Sequence, residues 1–98
     1  MPSVIFRTNV DCCKRFVYAI NDKKWTVNDV NPCVGDHVVV LQSNTLELPM
    51  RVIYRRWENL KPELGNSPVL VVELHLLESM HIALVESIVR AAGYPTSP

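Results

Sequence analysis

The chain has 98 residues, enough for one domain and too few for two. Its 48% hydrophobic content excludes a largely disordered chain, and a domain of this size buries roughly 60% of its unfolded surface without metal or disulfide staples. Ten basic against ten acidic side chains cancel, which excludes the strong basic excess that non-specific duplex DNA binding needs and leaves only local patches.

Ser3 to Phe6 is β-branched and aromatic and predicts a first strand. Thr8-Asn9-Val10-Asp11 reads as a helix start, with Thr8 as cap and Asp11 returning the hydrogen bond. Cys13, Phe16, Val17 and Ile20 follow at the spacing of one helical face, and Asn21-Asp22 ends the helix. Trp25 to Val30 alternates loosely and predicts a strand, stopped by Asn31-Pro32. Cys33-Val34-Gly35-Asp36 is a turn into an apolar strand, His37 to Leu41, and Gln42 to Thr45 is a polar turn. Leu46 to Trp57 is a longer strand in which Pro49 marks an edge or a bulge. Glu58 to Pro68, rich in proline, glycine and asparagine, is a loop long enough to carry function.

Ser67-Pro68 also fits the cap of one long helix running to Gly93. The run Val69-Leu70-Val71-Val72 decides for a strand to about Leu76, then a helix from about Ser79 to Ala92, stopped by Gly93 with Pro95 beyond. Residues 78–98 thus form a helical extension of a single domain. Met80, Ile82, Leu84, Val85, Ile88 and Val89 make that helix apolar over more than one stripe. Such a helix is either deeply buried or meets a partner, including a second copy of the chain.

Cys12, Cys13 and Cys33 are odd in number and two are adjacent, a poor disulfide framework. With no signal peptide pattern at the start, the expectation is reduced thiols and a cytoplasmic location. No apolar run reaches the roughly 18 residues of a membrane span. His37, His75 and His81 do not combine with the cysteines at any zinc-ligand spacing, so no metal is expected. No phosphate loop, dinucleotide glycine pattern or Ser-His-Asp arrangement is present, and no cofactor is expected.

The order strand, helix, strand, Val34-Gly35-Asp36 turn, strand, strand, loop, strand resembles the PUA-like fold and, within it, the ASCH domains. The likeness runs from about Val4 to Leu77 and is sharpest over Ala19-Ile-Asn-Asp-Lys-Lys-Trp-Thr-Val-Asn-Asp29. Lys23 falls on the family lysine and Thr26 on its strand threonine, while Asn21 stands where the family prefers glycine and Asn28 where it usually has arginine. The resemblance implies an α+β chain with a partly open β-barrel of about five strands. It also implies a cleft for a base, nucleoside or RNA segment. In one branch it implies an amidohydrolase acting on an acylated cytidine, in which the threonine attacks, the lysine activates it and a loop glutamate assists. The catalytic candidates are then Lys23, Thr26 and Glu63, with Glu58 in the same loop. Lys23-Lys24 also reads as a solvated helix-end turn, and Thr26 as an ordinary strand residue.

Arg51, Arg55 and Arg56 with Tyr54 and Trp57 form the strongest basic-aromatic cluster, fit to stack unpaired bases and contact phosphates. Strand alternation puts Arg51, Ile53, Arg55 and Trp57 on one face and Val52, Tyr54 and Arg56 on the other. Lys23, Lys24 and Trp25 complete the candidate ligand-binding set. The leading expectation is a binding domain for RNA or a nucleobase-containing ligand, without clear catalysis. The alternatives are a small phage- or mobile-element-type protein that docks on and inhibits a host protein, and the amidohydrolase.

Overall fold

The computed structural model describes residues 2–44, 46–65 and 67–94. The chain is α+β. Its four strands are β1 (Ser3–Thr8), β2 (His37–Gln42), β3 (Glu47–Glu58) and β4 (Val69–Leu76), with helices α1 (Lys14–Ile20) and α2 (Ile82–Ala91). The strands form one sheet in the order β1-β4-β3-β2, parallel between β1 and β4 and antiparallel elsewhere, curled as a half-barrel.

One sheet face is covered. Val4, Phe6, Leu48, Met50, Val52, Leu70, Val72, Leu74 and Leu76 are all buried on it. Cys13, Phe16 and Val17 from the first helical region and Val85 and Val89 from α2 join them in a single core. Each fully buried Leu or Val contributes about 1.5–3 kcal/mol, which is how this short sequence outweighs its ordering entropy. The helical spacing of Cys13, Phe16, Val17 and Ile20 places the first three in the core, with Ile20 packed at its edge.

The helix begins later than the capping pattern predicts. Thr8 is the last residue of β1, and its hydroxyl accepts from the Val10 N–H at 3.1 Å while donating to the Leu74 carbonyl at 2.7 Å. A 3₁₀ turn, Asp11–Cys13, intervenes before α1. The competing use of the hydroxyl, across the parallel strand pair, wins because that site is buried and its carbonyl needs a donor.

Trp25 to Val30 is not a strand. Thr26 makes one bridge, to Ser3, and then the chain turns. The Thr26 N–H and hydroxyl both donate to the Asp29 carboxylate, at 3.0 and 3.2 Å, and the N–H groups of Asp29 and Val30 return to the Thr26 carbonyl at 2.9 and 3.1 Å. An aspartate three residues after a threonine offers the backbone a turn in place of a ladder. Four strands therefore stand among the described residues where about five were expected.

Pro49 sits within β3 beside a bulge, where the β2 pairing shifts between Val39 and Leu41. The Val52 N–H and carbonyl turn toward β2, so alternation turns the Pro49 nitrogen toward β4. The ladder with β4 starts only at Met50, so the missing donor costs no bond. Gly35, at φ +97°, and Asp36 together oppose Val52 in a second bulge, a conformation that favours glycine. Gly93 ends α2 as its spacing predicts. With φ +90° it donates to the Arg90 carbonyl, and the next N–H, of Tyr94, donates back to Val89. Pro95 lies outside the described residues.

Candidate functional site

A bulge in β3 decides which side chains meet. Pairing with β4 runs Val52 to Leu74 and then Tyr54 to Glu73, so the register shifts at Ile53. Before the shift, odd-numbered Arg51 faces away from the core. After it, Tyr54 and Arg56 do so, while Arg55 and Trp57 turn to the core side, opposite Val72 and Leu70. Simple alternation is thus overturned: Arg51 shares its face with Tyr54 and Arg56, and not with Arg55 and Trp57. One inserted residue reverses every side chain beyond it.

The face opposite the core carries neither helix. Its cross-strand rows follow from the pairings. Arg56 lies beside Val71 and Ile5; Tyr54 beside Glu73 and Arg7; Arg51 beside both His75 and His37. This face therefore gathers three guanidiniums, one phenol and two imidazoles. Arg7, His37 and His75 were no part of the basic-aromatic cluster read from β3, because only the sheet order brings their strands alongside it.

The three guanidiniums are held by defined partners. The Arg7 guanidinium donates to the Tyr54 hydroxyl at 2.9 Å and lies 3.7 Å from the Glu73 carboxylate. The Tyr54 hydrogen bond, with the Glu73 charge adding to it, holds the Arg7 pKa above its already high ordinary value. Arg51 pairs with Glu78 at 3.0 Å and Arg56 with Glu58 at 3.1 Å. Glu73 is buried, so its pair is fixed in place, whereas the Glu78 side chain is 87% exposed. Exposed pairs contribute at most about 1 kcal/mol, so an incoming phosphate competes for Arg51 and Arg56 at small cost.

The remaining predicted residues lie elsewhere. Arg55 donates to the Pro32 carbonyl at 2.8 Å and touches the Cys33 sulfur, pinning the segment that leads into the turn before β2. Trp57, on the same side, is 42% exposed. The Lys23 ammonium sits 4.0 Å above the Trp25 ring, and the Trp25 indole N–H donates to the Ile20 carbonyl at 2.7 Å. Lys24 caps the short 3₁₀ turn Asn21–Lys23 with φ 58°. Lys23 and Thr26 thus have separate partners, a ring and the Asp29 carboxylate. Two hydrogen bonds from Thr26 hold that carboxylate below its usual pKa, which makes it a weaker base. Glu63 is exposed in a 3₁₀ turn, Pro62–Leu64, between β3 and β4, at the sheet end that also carries Ser3 and its bridge to Thr26.

Asn21, the departure from the resembled glycine, has a structural use. Its side chain accepts from the Phe6 N–H at 2.9 Å and donates to the Phe6 carbonyl at 2.8 Å, imitating a further strand on the edge of β1. An open cleft of about 320 Å³ lies beside it, lined by Ser3, Ile5, Lys24 and Trp25. A second cleft, of about 410 Å³, lies where β4 leads into α2.

Among the described residues no group of three His, Cys, Asp or Glu side chains is placed to hold a metal, and no helix is long and apolar enough to cross a membrane. Cys12, Cys13 and Cys33 are free thiols. Burial pushes the Cys13 thiol up to about 12, so it is neutral and unreactive at ordinary pH. The chain matches no family model, and no curated protein and no solved structure matches it significantly.

Proposed function

We propose that the chain binds single-stranded RNA or a related nucleobase-containing ligand on the open face of its sheet. The observation that carries this reading is the set of consecutive cross-strand rows bearing Arg56, then Arg7 with Tyr54, then His37, Arg51 and His75. Rows lie about 6.6 Å apart along a strand, so successive nucleotides of an extended chain meet successive rows. Guanidiniums take phosphates, and phenol, imidazole and guanidinium planes stack unpaired bases. The near-neutral pairing of the face fits single strands better than duplex DNA, whose binding rests on net charge.

The test is anisotropy of a short labelled single-stranded RNA at low and physiological salt. Binding is expected to weaken with salt, and Arg51→Ala and Arg56→Ala each to lower affinity and flatten the slope of log affinity against log salt by about 0.7. Arg55→Ala, on the opposite side of the sheet, is expected to leave RNA affinity unchanged. Unchanged affinity in the Arg51→Ala/Arg56→Ala double variant refutes the assignment of the face.

A second reading, a small docking protein or homodimer, draws on one observation. Ile82, Leu84 and Ile88 of α2 remain exposed while only Val85 and Val89 of that helix are buried. Sedimentation showing a dimer that Leu84→Glu dissociates supports it.

A further inference from the structure

We propose that the cleft between the end of β4 and the start of α2 is a nucleobase pocket, and that it takes one unstacked base of a strand lying on the open face. The inference rests on that reading of the face and adds the site that captures a base. The cleft has a volume of about 410 Å³ and is lined by His75, Leu76, Glu78, Met80, His81 and Ile82. That volume falls at the lower end of the roughly 300–1,000 Å³ typical of small-ligand sites.

Its chemistry suits a planar nitrogen heterocycle. Leu76, Met80 and Ile82 supply apolar wall, and His75 and His81 supply flat rings whose nitrogens donate and accept hydrogen bonds. Its position suits a nucleotide. His75 belongs to both the cleft and the open face, in register with Arg51. Arg51 reaches the cleft wall through Glu78 at 3.0 Å, so a base inside the cleft leaves its phosphate beside that guanidinium. In the smaller cleft at the β1 edge the Asn21 amide is already bonded at both ends to Phe6, the Trp25 N–H donates to Ile20, and the Lys23 ammonium lies over the Trp25 ring.

Glu78 then acts as a removable counter-charge. Its carboxylate holds Arg51 in the empty state and repels an incoming phosphate, and an exposed pair of this kind is worth little in water. Neutralising it frees Arg51.

The experiment titrates the chain with AMP and with CMP, and separately with a short single-stranded RNA, following histidine ring, tryptophan indole, methionine methyl and isoleucine methyl signals by NMR. Saturable nucleotide shifts are expected at His75, His81, Met80 and Ile82, with Trp25 unmoved. Glu78→Gln is expected to tighten nucleotide binding several-fold, and Ile82→Trp, which fills the cleft, to abolish it. Glu78 is exposed, so its variant keeps the test valid even where Ile82→Trp misfolds. RNA binding through Arg51 and Arg56 with no nucleotide shift in the cleft overturns the pocket and leaves the face standing. Nucleotide shifts confined to the cleft, with no RNA binding, keep the cleft as a mononucleotide pocket but overturn both the face and the strand lying on it. No binding of either ligand overturns both, whereas weakened nucleotide binding in Glu78→Gln overturns the pocket alone.

Discussion

Replacing Asn21 tests whether one side chain completes the edge of the sheet. Its amide makes two hydrogen bonds to the backbone of Phe6, at 2.9 and 2.8 Å, and Phe6 itself is buried in the core. A net 0.5–1.5 kcal/mol for each bond makes Asn21→Ala cost about 1–3 kcal/mol. With a urea slope of about 1–1.5 kcal/mol/M, the midpoint falls by about 0.7–3 M. Asn21→Gly, the residue the resembled family prefers, is expected to cost at least as much, because it also frees the unfolded backbone. Asn21→Asp adds a sign. The ionised carboxylate keeps the acceptor for the Phe6 N–H but sets an acceptor against the Phe6 carbonyl; the protonated form restores the donor. Its folded pKa is therefore raised above the unfolded one, so the stability it recovers is present at low pH and lost as pH rises. Urea titrations at pH 7 and pH 4.5, with hydrogen exchange of the Phe6 amide, measure all three variants. A change under about 0.5 kcal/mol in Asn21→Ala, with Phe6 protection unchanged, refutes the reasoning.

Thr8→Val keeps the shape and removes the buried hydroxyl that bridges β1 to the Leu74 carbonyl; a loss of about 1–3 kcal/mol in urea stability is expected, and a neutral result denies the bridge any role. Cys13 gives an alkaline signature. Its folded pKa of about 12 lies above the unfolded value near 8.5, so its contribution is complete below about pH 8.5 and declines above it by up to about 1.4 kcal/mol per pH unit. Cys13→Ala is expected to lower stability at pH 7 yet flatten the decline between pH 8.5 and 10.5; an identical decline in both proteins refutes the assignment.

Sequence periodicity located the core strands and both helices because burial on one face imposes it. Phe16 and Val17 are such residues, and the β-branched run from Val69 to Val72 separated β4 from α2 correctly. Turn chemistry was harder to read. Thr26 and Asp29 lie three apart, a spacing a strand tolerates, and only their joint hydrogen bonding makes the segment a turn. The site was legible in part. Arg51, Arg56 and Tyr54 stand out in β3, but their facing depends on a one-residue bulge at Ile53 that has neither glycine nor proline to announce it. Arg7, His37 and His75 belong to three other strands, and only the strand order brings them together. Asn21 reads as a helix end and gives no local sign that its amide serves a strand 15 positions earlier.

The parallel pairing of β1 with β4 has a consequence for synthesis. The strand that joins β1 to the rest of the sheet is the last of the four described. The segment before it therefore holds β1 with no partner strand, only the Thr26 bridge and the Asn21 amide on its edge, and a separate β2–β3 hairpin. On the ribosome this emerging chain lacks the strand that joins the two, and its apolar face waits for Val69 to Leu76 to leave the exit tunnel. Closing a loop of some 60 residues costs only about 1.5 RT times the logarithm of its length, yet it must come before the sheet exists. The sheet therefore cannot close until Val69–Leu76 is free to pair with β1 on one side and β3 on the other.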